Sequence, residues 1–194
     1  MGSVARIEPR ARENFTQSLG MIVALGSWAM MFGALFFVYA GIRASSRVWP
    51  PPGLPALPVA LPLINTFVLA ASSAALLVGT RALGRGDRKA LPRWVLAALV
   101  LGAAFLGLQF LVWKDLWLKG LLPSTGAFAS VFYGLTVLHA AHVLAGLVVL
   151  GVIFFRALRG AYTEHNVIRV RVAGMFWHFV DVVWILMFVA LYLM

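Results

Sequence analysis

Cysteine is absent from the 194 residues, which excludes a disulfide framework, a thiolate metal site and a redox thiol. Acid is scarce as well. Six Asp and Glu stand against sixteen Lys and Arg, and charged residues make up only 11% of the chain. Soluble domains are about a quarter charged and roughly 45–50% apolar, whereas this chain is 62% hydrophobic with a mean hydropathy of +0.94. A soluble enzyme is excluded, and an integral membrane protein is expected. The formal charge of +10 implies no nucleic-acid partner, because the basic residues fall before or between apolar runs, as the positive-inside bias requires.

What is there is a series of five apolar runs. They predict an all-α bundle of five transmembrane helices over 16–42, 61–83, 92–113, 127–155 and 172–194, in one membrane domain covering 1–194. Residues 1–15, with Arg6, Arg10 and Arg12 against Glu8 and Glu13, form a polar tail. The first run is too long for a signal-peptide core and lacks its cleavage site, so no cleavable leader is expected. Gly20, Gly26, Ser27 and Gly33 in that run suit close helix packing. From Trp49 to Pro58, five prolines forbid a regular helix and predict a stiff extended loop. Further loops are expected around Lys114, Asp115 and Lys119, and around Glu164 and His165. The tail and the second and fourth loops carry twelve Lys and Arg, and the other two loops four. That asymmetry predicts a cytoplasmic N-terminus and a periplasmic C-terminus.

Within the last run, His178 and Asp181 share a helix face at spacing i, i+3, flanked by Trp177 and Trp184. Polar groups at such depth are costly unless they face protein and find partners. At 1.5 Å of rise per residue, His178 and Asp181 lie about 10 and 15 Å from the basic boundary at Arg171. Similar reckoning from Arg81, Arg93 and Arg156 groups the polar residues into two layers. One holds His178, Asp181, Ser72 and Ser73; the other holds Asn65, Gln109, His139 and His142. Imidazoles could ligate haem or a metal. The alternative is mutual hydrogen bonding in hydrocarbon, favoured because no carboxylate or thiol accompanies His139 and His142. Gly146, one turn beyond His142, favours close packing over a cofactor pocket. A through-membrane proton relay needs a chain of titratable groups, and Asp181 is the sole carboxylate within any span. Trp94, Trp113 and Trp117 fit an interfacial aromatic belt.

The eight residues Trp177-His-Phe179-Val-Asp181-Val-Val-Trp184 resemble the signature of the cytochrome c oxidase subunit III family. Ordered matches extend the resemblance over about residues 20–194. They are Leu61-Pro-Leu-Ile-Asn65-Thr through Ser72-Ser73, then Gly86-Asp-Arg-Lys89, then Gly102, Phe105 and Gln109. His139-Ala-Ala-His142-Val-x-x-Gly146 and Phe154-Phe-Arg156 follow. Five helices resemble the short bacterial form, which lacks the first two helices of the longer one.

The resemblance implies a non-catalytic subunit of a haem-copper terminal oxidase in a bacterial inner membrane. It implies packing on catalytic subunit I, company with subunit II and further respiratory subunits, protection of proton uptake and turnover, and bound phospholipid. Haem and copper then belong to partner subunits, none is bound by this chain, and His139, His142, His165 and His178 are structural. Two positions depart from the family pattern. Trp28 and Val112 stand where the family usually has glutamates. The electron donor stays open between cytochrome c and quinol, with a nitric-oxide-reductase-associated relative as a further alternative. A free-standing small transporter or haem-anchoring membrane protein is the rival from another class.

Overall fold

The computed structural model describes residues 9–47, 55, 57–163 and 166–193, with side chains from residue 13 onward. Five α-helices follow in order: α1 (Pro9–Ser45), α2 (Ala60–Gly84), α3 (Ala90–Leu118), α4 (Ala127–Leu158) and α5 (Ile168–Phe188). A single 3₁₀ turn, Pro123–Thr125, precedes α4, and α5 runs on into a π-helical turn, Val189–Leu193. All five carry a stretch long and apolar enough to cross a membrane, as the hydropathy predicts. No strand occurs among the described residues.

The helices are longer than the apolar runs, because charge at a bilayer boundary does not stop a helix. α1 begins at Pro9, a residue tolerated in a first turn where its missing N–H is an orphan anyway. Half of the expected polar tail is therefore helical, and Glu13 accepts a hydrogen bond from Gln17 one turn on at 3.2 Å. Lys114 and Asp115, expected in a loop, lie within α3, where Asp115 pairs with Lys119 at 2.6 Å across i, i+4. α5 starts at Ile168, so Arg169 and Arg171 occupy its first turn.

Glycine ends three of the helices. Gly86, Gly120 and Gly160 have φ of 87°, 85° and 70°. The next residue in each case reaches back to close the turn, as Leu121 does to the Leu116 carbonyl at 2.9 Å. Most of the proline-rich segment between α1 and α2 lies outside the described residues, as do Glu164 and His165.

The burial is uneven. In the most apolar window of α5 half of the residues are buried (50%), against 6% in that of α1, so the bundle is organised around its last helix. α2 lies along α3, while α5 packs on α2, α4 and α1. At Gly79 the α2 backbone approaches Trp94 so closely that an added Cβ would sit 2.7 Å from the Trp94 Cβ. A Cβ on Gly20, Gly26 or Gly33 of α1 would meet nothing within 4 Å among the described residues, α1 being an edge helix.

Candidate functional site

The centre of the bundle is the indole of Trp177. A Cβ added to Gly102 on α3 would lie 2.7 Å from Trp177 Cη2, and one added to Gly146 on α4 would lie 2.7 Å from Trp177 Cε3. The ring therefore fills the space left by two absent side chains. Its Nε1 donates to Ser72 Oγ on α2 at 3.1 Å, and Ser72 in turn donates to the Ala98 carbonyl on α3 at 2.9 Å. One side chain of α5 thus touches α2, α3 and α4, and every polar atom in the chain of contacts has a partner. Gly146 is a close-approach position as expected, but what approaches is a side chain.

Trp184, two turns further along α5, anchors the second layer. Its Nε1 donates to Thr66 Oγ1 at 2.9 Å, while Thr66 donates to the Pro62 carbonyl. The Trp184 ring centroid lies 4.8 Å from that of Phe105 in an edge arrangement and 5.4 Å from that of His139. Asn65 donates to the Phe105 carbonyl at 3.2 Å. Gln109 lies beside Tyr192, although neither completes a hydrogen bond. His139 is buried against Phe32, Phe105 and Trp184, and neither ring nitrogen bonds to the described protein.

His142 faces α1. Its ring packs on Trp28 and Phe32 of α1, at centroid distances of 5.6 and 5.4 Å. Its Nδ1 stands 2.8 Å from the Leu138 carbonyl. A carbonyl can only accept, so Nδ1 carries a proton. Trp28 also packs on Phe176 at 5.0 Å, joining α1 to both α4 and α5.

Asp181 is buried between His178 of its own helix and Ser73 of α2. The Ser73 hydroxyl lies beside the Asp181 carboxyl without completing a hydrogen bond. Phe179 is half-buried against the core.

Several polar contacts escape the sequence reading. Thr136 accepts from Trp113 Nε1 at 3.2 Å, so Trp113 bridges α3 and α4 where an interfacial belt was expected. Tyr133 donates to the Leu121 carbonyl at 2.7 Å. Tyr39 donates to the Ala190 carbonyl at 2.9 Å, fastening α1 to the π-helical turn. The available signal was a hydroxyl within an apolar span, which must bond somewhere.

A haem or metal does not fit these donors. Three aromatic rings surround His139, and His142 spends its Nδ1 on its own helix. No group of three His, Cys, Asp or Glu among the described residues could hold a metal ion. Trp177, Ser72, Trp184, Thr66 and Asn65 converge on one another and on backbone carbonyls across α2, α3 and α5.

Comparison with known families decides the lineage. The model of the family "Cytochrome c oxidase subunit III" matches residues 13–194. The chain belongs to the cytochrome c oxidase subunit III family. Among its relatives, cytochrome c oxidase subunit 3 of Thermostichus vulcanus is 38% identical over 91% of this chain and 86% of its own length. Its counterpart in a Synechocystis species is 35% identical over 90% and 74%. That of Bos taurus is 32% identical over 89% and 67%. This subunit III is a multi-pass membrane protein of the respiratory chain, part of a haem-copper oxidase. At the two positions where the resemblance implies glutamates, Trp28 packs on His142 and Val112 is fully buried in the core.

Proposed function

We propose that this subunit III is a packing subunit of a bacterial inner-membrane oxidase, bound directly to the catalytic subunit, stabilising it and holding lipid. Electron transfer and O₂ reduction take place on haem and copper held by the partner subunits, with subunit II and cytochrome c on the donor side. The observation that carries this reading is the use made of the polar residues. Trp177, Ser72, Trp184, Thr66 and Asn65 are spent on hydrogen bonds that tie α2, α3 and α5 together, and His139 of α4 packs its ring against Trp184. In hydrocarbon such contacts replace water, and an unsatisfied alternative costs several kcal/mol per group, on the order of 2–7. The apolar outer face of α1, with Met30 and Phe37 exposed, is available to lipid and to the catalytic subunit.

The test is purification of a tagged chain in mild detergent. It should bring down a haem- and copper-containing subunit in equal amount, and should be colourless once separated from it. Stoichiometric haem remaining on the isolated chain would overturn the packing role given to His139, His142 and His178.

A further inference from the structure

Where α2 finishes and α5 begins, Arg81, Arg85 and Arg171 line one open groove of about 600 Å³. Its deeper wall is formed by Leu77 and Met175, one turn further into the bundle than Arg81 and Arg171, with His178 beyond. Gly174 forms part of the wall between the two helices, so no side chain fills the space there.

Among the described residues no Asp or Glu lines this groove. Among the described residues none of the three guanidiniums forms a salt bridge, whereas Lys119 on α3 finds Asp115. Asp87, the acid nearest to Arg81 and Arg85 in sequence, is engaged elsewhere. Its Oδ1 accepts from the backbone N–H groups of Lys89 and Ala90 at 3.2 and 3.1 Å, at the start of α3. Three like charges drawn from two helices toward one space repel each other unless a counter-charge sits among them. Guanidinium forks match phosphate oxygens in geometry as well as in charge.

The apolar wall identifies the carrier of that phosphate. A free anion would use the arginines and leave Leu77 and Met175 without a role. An amphiphile uses both, its charged head at the bundle end and a hydrocarbon chain along the exposed apolar flank of α2, where Leu77 and Val78 face outward. We propose that this groove binds an anionic phospholipid, with Arg81, Arg85 and Arg171 holding the phosphate and Leu77 and Met175 receiving an acyl chain. The inference rests on the lipid-holding membrane-subunit reading and gives that lipid a place.

The experiment uses the assembled oxidase carrying a tagged chain, washed in detergent and titrated with phosphatidylglycerol. Native mass spectrometry reads the lipid remaining on the released chain. One phosphatidylglycerol per chain is expected, and phosphatidylethanolamine should not replace it. The double substitution Arg81→Gln with Arg171→Gln should weaken retention on the order of tenfold or more. Leu77→Trp, which plugs the deeper wall and leaves every charge in place, should do the same. Arg88→Gln with Lys89→Gln removes as much charge outside the groove and should change nothing. Equal retention by the groove and control variants would overturn the proposal. So would displacement of the lipid by millimolar inorganic phosphate, or a crosslink from the groove to a carboxylate of a neighbouring subunit in lipid-free complex. Co-purification with the haem- and copper-bearing subunits is scored before lipid is added, so failure of the subunit reading is seen separately.

Discussion

At Trp177 a few tenths of an ångström decide the packing. The rigid, fully buried indole has no room to retreat from a methyl group at Gly102, where Leu147 Cδ2 would also lie 2.8 Å away. Gly102→Ala should therefore cost about 1–3 kcal/mol through overpacking. Trp177→Phe vacates the same space while removing the Ser72 hydrogen bond. In the Trp177→Phe background the Gly102→Ala cost should largely vanish, giving a coupling of about 0.5–3 kcal/mol in a double-mutant cycle of thermal or denaturant unfolding. Additive effects would contradict the clamp. The importance of the tryptophans and of Gly146 was legible in the sequence, since an indole N–H and a small residue each announce a contact. Their partners were not. Ser72 was placed in the same layer by depth alone, whereas Thr66 as the acceptor for Trp184 depends on helix rotation, which one-dimensional depth does not contain.

At the scale of the helix, hydropathy located all five spans and missed their ends. α3 continued through Lys114 and Asp115 because an i, i+4 ion pair supports a helix as well as an apolar run does. Its true stop is Gly120, which takes the positive φ that the closing turn requires. The glycines of α1 meet no neighbour among the described residues, because an edge helix has a neighbour within the chain on few of its faces.

Helix direction is open to a direct test, because the chain has no cysteine to confuse the labelling. With Ser124→Cys in the turn before α4 and Arg159→Cys just after it, a membrane-impermeant maleimide added to intact cells should label only the first. The basic loops are expected to face the cytoplasm. Labelling of the second alone would invert the topology.

For the whole molecule, the sequence carried the class and the family, because composition and a contiguous signature survive without coordinates. It carried the site less well. Depth groups the polar residues without giving their partners, as with His142, whose ring packs on Trp28 and Phe32 of α1. Tyr39 and Tyr192, absent from both layers, sit at the junction of α1 with the end of α5 and beside Gln109. Residue depth follows from counting, whereas the face a residue presents follows from how five apolar helices rotate against one another. Helices this uniformly apolar show little of that in their patterning.

The central claim is that the intramembrane polar groups lock the bundle and do not carry protons. Asp181, buried between His178 and Ser73, is its sharpest test. Asp181→Asn keeps the shape and the hydrogen-bonding capacity and removes the acid. Asp181→Ala leaves its neighbours unsatisfied, at about 1–3 kcal/mol, and should loosen the subunit from the complex. The decisive measurement is the number of protons translocated per electron by oxidase carrying Asp181→Asn, with the amount of retained subunit determined on the same preparation. A packing role predicts full retention and an unchanged ratio. Full retention with translocation abolished would make Asp181 a proton-handling residue and contradict the claim.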